Sequence, residues 1–390
     1  MIASRAWVKR NIGFDPISTP APVSTFAFAK AAQPSSTPED FQREIIDFDS
    51  EGPEGMAFLA FSTATGLSRF TDIPWPKGLE PKTGAKPSGR AGGPLPRADV
   101  LVVTWTVDEG HALSCVLTPG KDSHNDYIPY THNYAVIAGK MSKGSPAVQA
   151  KRLGAYWTTS IGGKKVVIFK SDSHLSQDTN KAIPKGNKSL PNADVWTQII
   201  SEVQPKLVIT TGTAGGIGRQ CEVGDVVVSP IVRFDCEKWL KSEPFAQQSY
   251  KDSGASTKYF AKSNSLFKAN AGQLPKDNTR PPKILQSNGL SASVLTTDFF
   301  GFDTSDNHYG LRGLGAVSEM GDAVLGLVAT QMGEGAPRWI AVRNVSDPQI
   351  KAEGTLQDQA KLAAQIYKAY GRWSSVCSAI VCWALIAAEK

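Results

Sequence analysis

Two apolar runs in this sequence end in acidic residues. Residues 98–105 (ADVLVVTW) give way to Thr106, Val107, Asp108 and Glu109, and residues 339–345 (WIAVRNV) give way to Ser346, Asp347 and Pro348. Acids at the carboxyl ends of buried strands stand where α/β sheets hold their ligands. One of the two adjacent acids, Asp108 or Glu109, facing a cavity there could act as a base. Adjacent acids at a helix start are also favoured by the helix dipole, so capping alone accounts for Asp108 and Glu109 equally well.

Between these ends lies KLVITTGTAGGIGRQCEVGDVVVSPIVR, residues 206–233. A β-branched run, 207–211, meets Gly212, Thr213, Ala214, Gly215, Gly216 and Gly218. So many small residues predict a sharp turn out of regular strand, and a floor on which a ligand reaches backbone amides. A second strand is expected at 226–229. The glycine spacing is neither G-x-G-x-x-G nor a P-loop, because no Gly-Lys-Ser/Thr follows.

The elements that must carry these residues alternate in type. Strands are expected at 98–105, 164–170, 207–211, 226–229, 293–297 and 339–345, with a further one ahead of 164–170 joined to it by a Gly-Gly turn. Helices are expected at 149–157, 194–203, 263–271, 315–333 and 356–390, the last with a break near Gly371. Such alternation predicts a mostly parallel or mixed sheet between helices. Residues 235–288 are polar and lysine-rich and read as a surface excursion. Residues 1–97, rich in Pro, Ser and Gly, read as an N-terminal extension or arm, and residues 98–390 as the domain that holds the alternating elements.

With 390 residues, 41% hydrophobic and 20% charged, the chain has the composition of a globular protein with a full core. A net charge of +6, with the basic residues scattered, argues against nucleic-acid binding. Five widely spaced cysteines without a C-x-x-C argue for free thiols in a reducing compartment, hence the cytoplasm, and against a metal site. The apolar stretch 376–388 is too short to span a bilayer and reads as a buried helix, so no membrane association is expected.

Four segments together resemble the nucleoside phosphorylase and nucleosidase superfamily, and most closely its 5′-methylthioadenosine/S-adenosylhomocysteine nucleosidase branch. VVTWTVDEGHAL is similar to the family's first strand and acidic motif, and TTGTAGGIG with GDVVVS to its glycine signature. LTTDFFGFD resembles the base-stacking segment, and SEMGDA with AVRNVSD the ribose-binding and general-acid segments. The resemblance covers residues 98–390, interrupted at 122–160 and 235–288.

It implies a three-layer αβα sandwich with a mixed central sheet and an enzyme that cleaves the N-glycosidic bond of a purine nucleoside. Glu109 matches the residue that activates water, and Asp347 the acid that protonates N7 of the base, oriented by Ser346 and Asn344. Phe300, beside Gly301, matches the ring that stacks on the base. Thr213, Ala214 and Gly215 would line ribose and base, and Met320 would pack on the sugar. No cofactor is implied, and a homo-oligomer of at least two copies is.

Two departures from the family pattern bear on the reaction. Phosphorolytic members resemble one another in an arginine just before the Gly-Thr of the signature, where this chain has Thr211. Water is therefore the expected nucleophile, with phosphorolysis the alternative and a non-catalytic nucleoside-binding or storage protein a third reading. The family's Met-Glu is here Met320-Gly321, which leaves Glu319 or Asp322 to take the ribose hydroxyls. His174, at another strand end, stands where a contact to the 5′ side is possible.

Overall fold

The computed structural model describes residues 73–390, apart from 87–91, 181–182, 187, 189, 219, 270–277, 287–288, 290–292, 300 and 348–353. Among these residues the chain opens with β1 (Lys82–Thr83), β2 (Val100–Thr104) and α1 (Val107–Leu117), followed by β3 (Ile128–Tyr130), α2 (Tyr134–Ala138) and α3 (Pro146–Ala150). Next come β4 (Gly154–Ile161), β5 (Lys164–Ser171), α4 (Leu175–Asp178), α5 (Pro191–Val203) and β6 (Leu207–Gly216). They are followed by β7 (Val226–Ser229), β8 (Ile231–Asp235), β9 (Ser249–Lys251), α6 (Phe260–Ala269), β10 (Ile284–Gln286) and β11 (Val294–Thr297). The last are β12 (Val317–Glu319), α7 (Asp322–Met332), β13 (Arg338–Asp347) and α8 (Leu356–Ala388).

All five residues of β2 are buried, and their alternation sorts them onto two cores. Val100 and Val102 join α1 and α8 on one face, with Leu113, Val116, Trp373 and Ile380. Leu101 and Val103 join α5 and α7 on the other, with Trp196, Ile199, Val324 and Val328. Helices thus cover both faces of a mixed sheet, the expected αβα sandwich. The sheet runs β1-β4-β5-β2-β6-β12-β11-β8-β9, with β13 beside β6. β5, β2, β6 and β13 are mutually parallel, so their carboxyl ends share one edge.

β6 pairs with β13 along most of its length. Its other side pairs with β2 over Leu207–Thr210 and with β12 at Gly215 and Gly216. Between those partners the ladder on that side is interrupted from Thr211 to Ala214, a switch point of the kind where open α/β sheets receive ligands.

Four expectations are corrected. The glycine segment does not turn: β6 continues as strand through Gly216. Its small residues serve close approach, since a Cβ on Gly216 would sit 2.8 Å from that of Cys221. Residues 154–157 belong to β4, which forms a hairpin with β5 through Gly162 and Gly163, both with positive φ. Residues 317–319 form β12, and the following helix starts at Asp322. α8 runs unbroken past Gly371. Its segment Ala369–Ala388 is long and apolar enough to cross a membrane, but 89% of that window is buried in this chain's own core. Residues 73–86, which the composition assigned to an N-terminal extension or arm, lie on the sandwich: β1 pairs with β4, and Leu79 accepts a hydrogen bond from Trp383 Nε1 at 2.6 Å.

Candidate active site

β2 ends where Thr106 caps α1. Thr106 and Glu109 form a capping box: the Thr106 hydroxyl accepts from Glu109 N, and Glu109 Oε2 accepts from Thr106 N at 3.0 Å. Oε2 also accepts from Thr104 Oγ1 at 2.9 Å and Trp105 N at 3.0 Å. The other oxygen crosses to β6, where Oε1 accepts from Thr213 N and Thr213 Oγ1, both at 2.7 Å. That amide lies in the interrupted stretch of the ladder, and the carboxylate takes the place of a strand partner. Burial raises the Glu109 pKa, but the Arg343 charge and the bonds from Thr106 and Thr213 outweigh it and hold the group below its ordinary value. Capping and facing the cavity are one arrangement here.

Asp347 closes β13. The register with β6 slips between Val345 and Asp347, so Ser346 is the extra residue of a bulge, and Asp347 lies opposite Gly215. Asp347 Oδ2 comes within 3.0 Å of where a Gly215 Cβ would stand. Burial pushes the Asp347 carboxyl up to about 7, against the Ser346 hydroxyl, which donates to Oδ1 at 2.7 Å. Asn344, expected to help orient it, faces α8 and bonds Ser374 and Ser378.

Glu109 and Asp347 line the same cavity of about 470 Å³, together with Thr213, Ala214, Gly215, Gly301, Glu319, Met320 and Ser346. This volume is in the range of a small-molecule site. Asp322 is not in the wall: both of its oxygens bind the buried Arg343, through Nε at 2.8 Å and through Nη2. Glu319 is also on Arg343, at 3.1 Å, and accepts from Gly321 N at 2.7 Å and Asp322 N at 2.9 Å. Burial, reinforced by the neighbouring Asp322 charge, pushes Glu319 up to about 7. Phe300 lies outside the described residues; its neighbours Phe299 and Phe302 are buried, and both contact the Tyr309 ring.

The structure adds residues that sequence reasoning passed over. Arg343 stacks over Trp105, 4.8 Å from the ring, and ties the acids of β12 and α7 to the floor of the site. A second charged cluster stands at the end of β5: Asp172 is held by Lys170 and, at 2.7 Å, by Arg152, and all three line the cavity with His174. Burial and the Lys170 charge push His174 down to about 4, so the ring is neutral. The available signal was position, since Lys170 and Asp172 also close a buried strand. Among the described residues, no group of three His, Cys, Asp or Glu side chains could hold a metal ion.

The family model of the phosphorylase superfamily matches residues 132–381. The chain belongs to the phosphorylase superfamily. Asp347 lies inside the matched region of this superfamily member, and Glu109 lies ahead of it. The chain is similar in structure to the 5′-methylthioadenosine/S-adenosylhomocysteine nucleosidase from Neisseria meningitidis, at 14% identity over 75% of this chain and 100% of that one, with a TM-score of 0.43. It is similar to the futalosine hydrolase of Helicobacter pylori at 14% identity over 73% and 96%, with a TM-score of 0.44. For the S-adenosylhomocysteine nucleosidase from Streptococcus pyogenes the values are 13%, 76%, 98% and 0.42. No curated protein matches the sequence.

Proposed function

We propose that this superfamily member is a purine nucleoside hydrolase, acting on an adenosine-type nucleoside of the methylthioadenosine or S-adenosylhomocysteine kind. Water attacks C1′ while an acid protonates N7 of the leaving base. One observation carries the reading: a carboxyl pushed up to about 7, Asp347, and a carboxylate held ionised, Glu109, line one cavity. Departure of a purine leaves positive charge on the ribose. A proton delivered to the base and a fixed negative charge near the sugar both act more strongly on the transition state than on the substrate.

Glu109 already accepts from five donors. A water that is to be oriented by it must replace one of them, and the hydroxyl of Thr213 can turn away at the least cost because its backbone amide remains. Glu319 is the acid left for the ribose hydroxyls, since Asp322 lies behind Arg343. The working form in this reading is a homo-oligomer in the cytoplasm, and sedimentation velocity reports its size.

Thr211 in place of a phosphate-holding arginine supports water as the nucleophile. The observation favouring phosphorolysis is that Lys170 and Arg152 stand in the cavity wall; both are engaged by Asp172. Incubation with methylthioadenosine, S-adenosylhomocysteine, adenosine and inosine, with and without phosphate, decides between the two. Base release without phosphate is expected. A strict requirement for phosphate replaces the reading by phosphorolysis, and saturable binding without turnover replaces it by a nucleoside-binding protein.

A further inference from the structure

Cys115 is the one cysteine of five that is not buried. It lies one helical turn beyond His111 on α1, with Sγ 3.4 Å from His111 Nε2. His111 Nδ1 is 2.9 Å from Asp122 Oδ2, and Arg372 Nη2 of α8 comes within 2.6 Å of His111 Nε2. Asp108, on the same helix, is within reach of the charges of Arg372 and His111, with both oxygens buried and without a hydrogen-bond partner among the described residues. None of these five residues lines the cavity described above.

We infer that Cys115 is a modification site: a nucleophilic thiol, activated by the His111–Asp122 pair and Arg372, that takes one oxygen atom from hydrogen peroxide. Arginine can only donate, so while Arg372 bonds Nε2 the imidazole carries its proton on Nδ1 toward Asp122, and the guanidinium is the positive charge beside the sulfur. When the imidazole is doubly protonated, its Nε2–H points at Sγ instead. A cation faces the sulfur in both states, and a thiolate is the reactive form.

Burial raises the thiol's pKa, but the His111 hydrogen bond and the charges of His111 and Arg372 outweigh it and leave Cys115 below its ordinary value. Tyr127, on the segment that follows α1, is a further titratable group coupled to Cys115 and Asp122. The contrast within the chain is large, since burial pushes the thiols of Cys221 and Cys382 up to about 12. In the reaction the sulfur attacks one peroxide oxygen, an S–O bond forms and the O–O bond breaks. Hydroxide leaves and takes up the proton given by the thiol, so the products are a sulfenic acid and water; the sulfur is oxidised and the peroxide reduced.

The test uses the full-length protein at pH 6 with iodoacetamide, with labelling of each cysteine followed by peptide mass spectrometry. Cys115 is expected to react about tenfold faster in the folded chain than in the same chain unfolded in urea, the gain in thiolate being partly offset by weaker nucleophilicity. In a parallel arm, hydrogen peroxide followed by dimedone is expected to leave its adduct on Cys115. Folded-state labelling no faster than in urea, or a dimedone adduct absent from Cys115, overturns the inference. Neither readout depends on whether the cavity hydrolyses nucleosides.

Discussion

Glu109 lies across Gly212 so closely that a Cβ on Gly212 would stand 2.5 Å from the carboxyl carbon. The glycine is therefore required by a side chain more than a hundred positions away, on the neighbouring strand's exit. Gly212→Ala is expected to dislodge the carboxylate from Thr213 and lower base release at least about 10²-fold, the scale of a lost acid–base group. The same substitution, at a φ of 152°, is expected to cost about 1–3 kcal/mol of stability. Steady-state kinetics and urea unfolding of the variant check both.

Asp347→Asn removes the proton donor, and the rate is expected to fall at least about 10²-fold. In the wild type, base release should decline as pH rises through about 7, where Asp347 loses its proton. The stability sign is the same. The folded pKa is raised above the ordinary 3.8, so the folded chain binds a proton that the unfolded chain has lost between those values. The contribution is fully present below about pH 4 and lost as pH rises through 7. A pH–rate profile on both proteins is the check, with the upper limb missing from the variant.

Ser346→Ala takes away a hydroxyl that favours the ionised form of Asp347. The upper limb of the profile is expected to move to higher pH, while the overall rate falls because the carboxyl is less well oriented. A limb that stays in place would show that Ser346 does not set the acidity of Asp347.

Arg343→Met leaves Glu319 and Asp322 buried without their cation. Removing one partner of a buried ionic cluster costs about 3–5 kcal/mol, and the urea midpoint is expected to drop accordingly. Glu109 loses the largest charge that holds its pKa down, so the pH profile of the folded remainder should show its acidic limb moving upward.

Glu109→Gln keeps the shape of the capping box but not the charge. Base release is expected to fall at least about 10²-fold, and stability to fall as well, because the amide nitrogen meets buried donors that the carboxylate oxygen accepted from. Comparable rates for Glu109→Gln and wild type would remove Glu109 from the reaction and leave it as a cap.

Much of the site was legible in the chain because strand ends announce themselves. Continuous apolar runs stopping at acids put Asp108, Glu109 and Asp347 forward, the family resemblance singled out Glu109 and Asp347 among them, and the cluster of small residues suggested the floor of the candidate site. Period and composition also separated sheet from helix in most places. They failed at 154–157 and 315–321, where short segments carry too few residues for a period to show, and at 212–216, where small residues suit a turn and a crowded central strand alike. Asp322 sits opposite Arg343, Asn344 turns to α8, and Lys170 and Arg152 meet at Asp172; no spacing rule gives these pairs.

The linear order of residues determined which groups stand at strand ends and which backbone positions carry no side chain. The tertiary structure decided which of those ends face one another. Register across β6, and the bulge at Ser346, bring Asp347 over Gly215 and leave the Thr213 amide for Glu109. Those pairings arise from sheet order and helix packing between residues far apart in the chain, and a pKa depends on the neighbours that such packing supplies.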